Sequence, residues 1–478
     1  MKGAVGVSYA TVKRASSRRD FLKAAAALAA GCRGACRSLS SVGGARVRRP
    51  SANERVNLAI IGCGMESRDN LPQFLADARV RVTVACDPVE RAMGYGYHAE
   101  LPGGRRVVKE QVDAHYGDTA CRMVADWREV IADPSVDAVA VITPDHWHAL
   151  ISIAAMKAGK HVYCQKPVSH SIREGRVLAR VAAETGVTFQ SGSQQRSLSE
   201  FRVACELVRS GYMGEVRLCE MFFPEDRGGC WGHALDRRRM PAPDYFAPGM
   251  WDLWQGPARH WENDAFIPGI HEPMQWRWNS RTGSGTMADW GAHHFDILQW
   301  AAGADGSGPV LIENMAHSDE GDEVFSWPGR FSCDIVYANG FRGRAVNNPS
   351  DRSFPWRNGI VFHCEKGELC VKRGRLALPD FLKKWNEKRD LKDTDVHLHK
   401  SRASHEADYI DSIFSGERPA ADAEVGHRAA TICHLANACI VGGSTSIRWD
   451  PVAEMVTEGT IPADILEAPM CNGWKLES

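Results

Sequence analysis

Two glycines, an acid about 20 residues beyond them and a histidine four residues after an aspartate are the groups in this chain whose types and spacing suit chemistry. Gly62 and Gly64 follow Val56 to Ile61, an apolar run of buried-strand length, at the point where such a strand must turn into a helix. Glycine there lets the backbone approach a pyrophosphate, whose charge the free amides and dipole of a helix start can hold. A second strand, Arg81 to Cys86, ends at Asp87, where a carboxylate can grip the ribose hydroxyls of an adenosine and repel a 2′-phosphate. The pattern points to a nicotinamide dinucleotide, NAD rather than NADP, and so to hydride transfer. The third glycine of G-x-G-x-x-G is replaced by Ser67, so the helix is expected to pack less tightly, and Glu66 brings negative charge near the phosphates.

A second group lies far along the chain. Thr286 to Trp300 has helical spacing, with Asp289, His293 and Asp296 on one face and Trp300 one turn further. Two acids and a histidine on one face suit either a capped, solvent-facing helix or a functional surface.

The elements that must position these groups alternate. After Asp87 a helix begins near Asp126, followed by a strand Ala138 to Ile142, a helix from about Asp145 to Ala158, a strand His161 to Cys164 and a helix over Ser171 to Glu184. Such alternation means a parallel sheet covered on both faces. Ligands then lie at the carboxyl ends of the strands, where Gly62, Asp87, Thr143 and Lys166 fall. From Val187 onward the pieces are strand-like (Val216 to Met221, Phe331 to Tyr337, Gly359 to Cys364, Leu369 to Val371) with long loops between them. The expected fold class is an α/β Rossmann dinucleotide-binding domain followed by an α+β domain with an open, largely antiparallel mixed sheet.

A length of 478 residues calls for two domains. We expect residues 1–52 as signal and linker, 53–190 as the nucleotide domain and 191–478 as the substrate and oligomerisation domain. Lys and Arg total 58 against 59 Asp and Glu, and no basic stripe stands out, which argues against nucleic acid as a partner. Ser17-Arg18-Arg19-Asp20-Phe21-Leu22-Lys23 and the apolar Ala24 to Ala30 have the layout of a twin-arginine export signal, too short to span a bilayer. The expected destination is the periplasm or beyond, with cleavage near Ala35 or a lipid anchor at Cys32. Thirteen of the 15 cysteines follow Cys36 and none forms a C-x-x-C pair. They read as small buried hydrophobes, with Cys364 and Cys370 the pair worth checking, and no metal site is expected.

Several ordered motifs carry a resemblance: Asp145-His146-Trp147-His148, Tyr163-Cys164-Gln165-Lys166-Pro167, Gly192-Ser193-Gln194-Gln195-Arg196-Ser197, Asp289-Trp290-Gly291-Ala292-His293-His294-Phe295-Asp296 and Trp449-Asp450-Pro451. Together they resemble the Gfo/Idh/MocA oxidoreductases, in particular exported members, from about Val56 to the C-terminus. The resemblance implies an active site between the two domains, a homodimer or homotetramer, and a cofactor held by Gly62, Gly64, Met65, Asp87, Thr143, Pro144, His148, Gln165, Lys166 and Gln195. In that family the motif is Glu-Lys-Pro. Lys166 matches the lysine near the nicotinamide and substrate hydroxyl, while Gln165 replaces the acid and removes a negative charge beside it. The family's aspartate and histidine fall on Asp289 and His293, and Arg196 falls where an arginine often faces substrate or cofactor.

To oxidise a secondary alcohol, a group must take the hydroxyl proton as hydride leaves, and a histidine suits that task. His293 is the expected base, with Lys166 polarising the same oxygen and Asp289 orienting the pair. His294 comes next, turned about 100° round the helix. Substrate contacts are expected from Arg196, Arg277 and His294. Trp231, Trp251, Trp254, Trp261, Trp276, Trp278, Trp290 and Trp300, flanked by Arg277, His271 and Asp244, offer flat faces for a pyranose, or else pack long loops. The function expected is oxidation of a sugar hydroxyl. Two alternatives stand beside it, a glycosidase or lyase working by transient oxidation and elimination, and a non-catalytic nucleotide- or sugar-binding protein.

Overall fold

Six short strands form the first sheet: β1 (Val56–Ile61), β2 (Val80–Cys86), β3 (Arg122–Val124), β4 (Ala138–Val141), β5 (His161–Cys164) and β6 (Phe189–Ser191). β1, β4, β5 and β6 are buried almost without interruption, as strands covered on both faces must be. All neighbours are parallel, in the order β3-β2-β1-β4-β5-β6. The direction of winding reverses between β1 and β4, and a crevice opens there at the carboxyl ends of the strands. The computed structural model describes residues 54–95, 101–224, 236–272, 275–318, 321–347, 358–382 and 396–476. The Arg18-Arg19 pair, Cys32, Ala35 and Trp231 lie outside them.

The covering helices are α1 (Ser67–Leu75), α2 (Arg105–Tyr116), α3 (Trp127–Ala132), α4 (Asp145–Lys157) and α5 (Ile172–Thr185). Asp126 caps α3 by accepting from the Arg128 amide, and Ser171 caps α5 by accepting from Glu174, as short oxygen-bearing side chains at helix starts do.

The second domain opens with α6 (Ser199–Arg209) and β7 (Val216–Phe223) and later supplies α7 (Met250–Gln255), α8 (Gly285–Asp289), α9 (Gly291–Ala302), β8 (Pro309–His317), β9 (Phe331–Tyr337), β10 (Arg342–Asn347), β11 (Gly359–Cys364), β12 (Gly367–Lys372) and β13 (Arg375–Ala377). After α10 (His405–Ser415) and α11 (Ala423–Val441) come β14 (Ile447–Asp450) and β15 (Met455–Glu458). The nine strands run β13-β12-β11-β7-β10-β9-β8-β14-β15. Only the β7–β10 pair is parallel among them, so the sheet is mixed and largely antiparallel.

Two features depart from the sequence expectation. The chain beyond residue 191 returns to complete the nucleotide domain: Tyr409, Ile410 and Ile413 of α10 sit in the same core as Phe74 and Tyr163. Gln190 Nε2 also donates to the His405 carbonyl at 2.6 Å. The single helix expected over Thr286 to Trp300 breaks at Trp290 into α8 and α9, which turns the Asp289 and Asp296 side chains to different partners. All twelve cysteines among the described residues are free, Cys364 and Cys370 included. No helix among those residues is long and apolar enough to cross a membrane.

Candidate active site

Gly62 ends β1 with φ 95°, a conformation that L side chains rarely adopt. A Cβ there would also fall 2.3 Å from the Ile142 carbonyl oxygen, so only glycine lets β1 and the segment after β4 close together. Ser67, at the position of the third glycine, closes the turn: its hydroxyl donates to the Gly64 carbonyl at 2.6 Å. Asp87 is buried. Its carboxylate accepts from the amides of Cys63 and Val89, both at 2.8 Å, which ties the glycine loop to the end of β2. Burial pushes this carboxyl up to about 6 against the pull of those amides.

The loop opens on a cleft at the carboxyl ends of the strands. Every residue expected to hold the cofactor lines it except Gln195. The Thr143 hydroxyl in the lining has no protein partner. A glycine loop with room before it, an acid at the second strand and a free hydroxyl together fit a dinucleotide. The opposite wall comes from the second domain, from Trp254, His271, Trp276 and Arg277. Trp127 and Trp147 also line the cleft, and nothing in their spacing announced it. Trp251 and Trp254 stack at 5.2 Å, while Trp261 and Trp278 pack into a separate small core.

Lys166, at the cleft, donates from Nζ to Asp289 Oδ1 at 2.6 Å and to the Asp289 carbonyl at 2.9 Å. Arg277 lies across the cluster with Nε 3.2 Å from the same carboxylate oxygen and its guanidinium over the Trp276 ring at 4.2 Å. Burial opposes the charge on Asp289, but Arg277 and Lys166 overcome it and hold the carboxyl well below its ordinary range. The negative charge missing at position 165 comes from the glycine loop instead. Gln165 Nε2 donates to Glu66 Oε1 at 3.1 Å and to Asn70 Oδ1 at 2.9 Å, and burial raises Glu66 against the attraction of Lys166. Asp145, which accepts from the Ser284 amide at 3.3 Å, is pushed up to about 7 by burial, against Arg277 and Lys166. The family motifs joined Lys166 and Asp289 in the sequence and Arg277 stood apart as a substrate contact, whereas Glu66 and Asp145 become members of the cluster only through the fold.

His293 is buried and its Nδ1 has no protein partner. Burial, then the charges of Arg373 and Lys166, hold it neutral, well below its ordinary value. His294 faces elsewhere, with Nε2 2.7 Å from Asn358 Oδ1 and its ring 5.2 Å from Phe223. Neither histidine lines the cleft. Arg196, expected at substrate, is committed to a buried ion-pair network. Its Nε donates to both oxygens of Asp296 at 2.9 and 2.8 Å, and Nη2 donates to Asp305 at 2.7 Å. Asp296 therefore serves Arg196, and the neighbouring Gln195 is buried away from the cleft.

Residues 56–193 match the family model for the NAD-binding Rossmann fold of an oxidoreductase family, and residues 231–476 match the C-terminal alpha/beta domain of the same family. The chain belongs to the Gfo/Idh/MocA oxidoreductases. Among relatives of this family, the levoglucosan dehydrogenase of Pseudarthrobacter phenanthrenivorans is 23% identical over 37% of this chain and 36% of its own length. The inositol 2-dehydrogenase of Rhodococcus jostii is 28% identical over 35% of this chain and 42% of its own. A glycosyl hydrolase family 109 protein of Stenotrophomonas maltophilia is 26% identical over 45% of this chain and 44% of its own. The chain thus spans less than half the length of each of these relatives. In three dimensions the chain is similar to GenD2 from gentamicin A biosynthesis in complex with NAD, at a TM-score of 0.56 and 17% identity over 85% of this chain and 100% of that one. It is also similar to the WlbA dehydrogenase of Bordetella pertussis in complex with NADH and UDP-GlcNAcA, at 0.53 and 15% over 80% and 97%. At such identities the likeness establishes the fold.

Proposed function

We propose that this Gfo/Idh/MocA protein oxidises a secondary hydroxyl of a sugar or sugar derivative with NAD as hydride acceptor. The observation that carries the reading is Lys166, standing at the cleft with its ammonium fixed by Asp289 at 2.6 Å. Gly62, Gly64 and Met65 would hold the pyrophosphate side of the cofactor, and Asp87 its adenosine ribose. Two backbone amides and the Tyr95 hydroxyl occupy only part of the Asp87 carboxylate's accepting capacity. When bound, the cofactor supplies the nicotinamide carbon to which hydride passes.

Lys166 donates to the substrate oxygen, and its charge stabilises the negative charge that grows there. Asp289 and Arg277 fix the lysine in place. His293, outside the cleft lining but within electrostatic reach of Lys166, takes the hydroxyl proton on its unpartnered Nδ1. The cations that keep this histidine neutral also favour ionisation of a hydroxyl among them, which offsets its weak basicity. The test is a panel of levoglucosan, myo-inositol and glucose with the purified chain and NAD, read by NADH absorbance. NADH formation is expected, and a protein that neither binds NAD nor reduces it with any of these would refute the reading.

A second reading is transient oxidation followed by elimination of a glycosidic partner. It is supported by two glycosyl hydrolase family 109 proteins that align over 42% and 45% of this chain, longer stretches than the dehydrogenases above. Aglycone release from a nitrophenyl glycoside without net NADH separates the two. We also place the protein outside the cytoplasm as a homo-oligomer. The export motif at Arg18-Arg19 supports the first part and family resemblance the second, and cell fractionation and light scattering test them.

A further inference from the structure

The first turn of α4 separates two spaces. Trp147 and His148 line the cofactor cleft, whereas His146 lines a second cavity of about 780 Å³ that shares no lining residue with the first. The buried part of its lining carries a cluster of polar side chains, Glu174, Ser284, His434 and Asn437 beside His146. Two hydrogen-bonding atoms there lack a protein partner, Nε2 of His434 and Oδ1 of Asn437. They belong to side chains one turn apart on α11, and such unpaired capacity in a buried place is costly unless something meets it.

Charge narrows what that something is. Burial holds His146 and His434 down at about 3 and His170 at about 4, so all three are neutral. Burial also pushes Glu174 up to about 8, against the amides of His170 and Ser171, so it keeps its proton at neutral pH. Charges at the rim are already paired: Arg281 lies 3.1 Å from Glu323, and Arg259 lies 3.9 Å from Asp464. An anion would meet no unpaired buried cation in this lining. A metal ion would find no close triad of ligands either, since the one such triad among the described residues, Asp252, His260 and Asp264, lies elsewhere. Trp327 and the aliphatic Ile440, Val441 and Pro462 complete the wall. Neutral donors and acceptors beside an indole and aliphatic groups are what a sugar ring requires, and the volume exceeds the need of one ring.

We propose that this cavity is a second carbohydrate site, distinct from the cofactor cleft, that binds an uncharged di- or oligosaccharide through Asn437, His434 and His146 against Trp327. The assignment does not depend on the redox reading, because no residue of the Lys166 cluster lines the cavity.

The test is calorimetric titration of the full chain, saturated with NAD, with cellobiose, maltose and inorganic phosphate as probes. At least one disaccharide should bind saturably while phosphate does not, and Lys166→Met should leave that binding in place. Val441 lies on the cavity's exposed edge, 52% accessible, so Val441→Trp narrows the cavity without touching the core. Together with Asn437→Leu it should weaken the disaccharide by about 10-fold or more, with NAD affinity unchanged. If Asn437→Leu fails to fold, Val441→Trp decides alone. Absence of saturable binding by either disaccharide, binding unmoved by Val441→Trp, or binding lost with Lys166→Met would each overturn the proposal.

Discussion

Lys166→Met removes the ammonium while nearly preserving side-chain length, and the surroundings set what it costs. The Lys166 and Asp289 side chains are only 12% and 16% exposed, so solvent screens their attraction weakly. Stripping a buried carboxylate of its sole partner would cost about 3–5 kcal/mol. Asp289 keeps Arg277 at 3.2 Å, so the stability loss should fall to about 1–2 kcal/mol, a melting shift of about 1–2 °C for a chain of this length. The kinetic loss should be larger, because the ammonium serves the charge that develops in the transition state. Removing one such donor costs roughly 10²- to 10³-fold in turnover. Fluorescence titration should show NAD affinity within about threefold of the unmodified protein, since that is only about 0.7 kcal/mol. Steady-state NADH formation on a proven substrate then reads the chemistry alone. If His293 accepts the proton of the same hydroxyl, Lys166→Met with His293→Ala should be little slower than the worse single variant. A folded, NAD-binding Lys166→Met protein with turnover within about tenfold of the original would refute the assigned role. Normal turnover in His293→Ala with loss in His294→Ala would refute the choice of histidine.

Arg196→Met should lower stability by about 3–5 kcal/mol by orphaning buried Asp296, measured by denaturant melts, while turnover per folded molecule stays unchanged. Asp145 carries a pH signature. Its folded value is raised to about 7, so the stabilisation from its bound proton is complete below the ordinary carboxyl range and is lost as pH rises through about 7. Asp145→Asn should therefore flatten the decline in melting temperature between about pH 4 and about pH 7. Asp87→Ser should narrow or reverse a preference for NAD over NADP in competition titrations and should also destabilise the glycine loop, which loses acceptors for the Cys63 and Val89 amides. Replacing Arg18 and Arg19 with lysine should leave the protein in the cytoplasm on fractionation, and unchanged export would refute the signal.

What the sequence determined by itself is local. Strand and helix periodicity, the turn at Gly62 and the acid closing β2 are set within a few residues of each position, and β1, β5, β9 and β11 occupy the very spans that their apolar patterns mark. The family motifs also placed Lys166 and Asp289 in one site, because ordered matches along a chain preserve relations that spacing alone does not. Tertiary structure decided the partners. Asp289 and Asp296 share a helical face on paper, yet the break at Trp290 sends one to Lys166 and the other to Arg196. Position 165 loses its carboxylate, and Glu66, 99 residues earlier, stands within 3.1 Å of its amide. Neutral histidines on either side of α4, and an aspartate raised to about 7, follow from desolvation. Burial is a sum over elements distant in the chain, so no local pattern of residues records it.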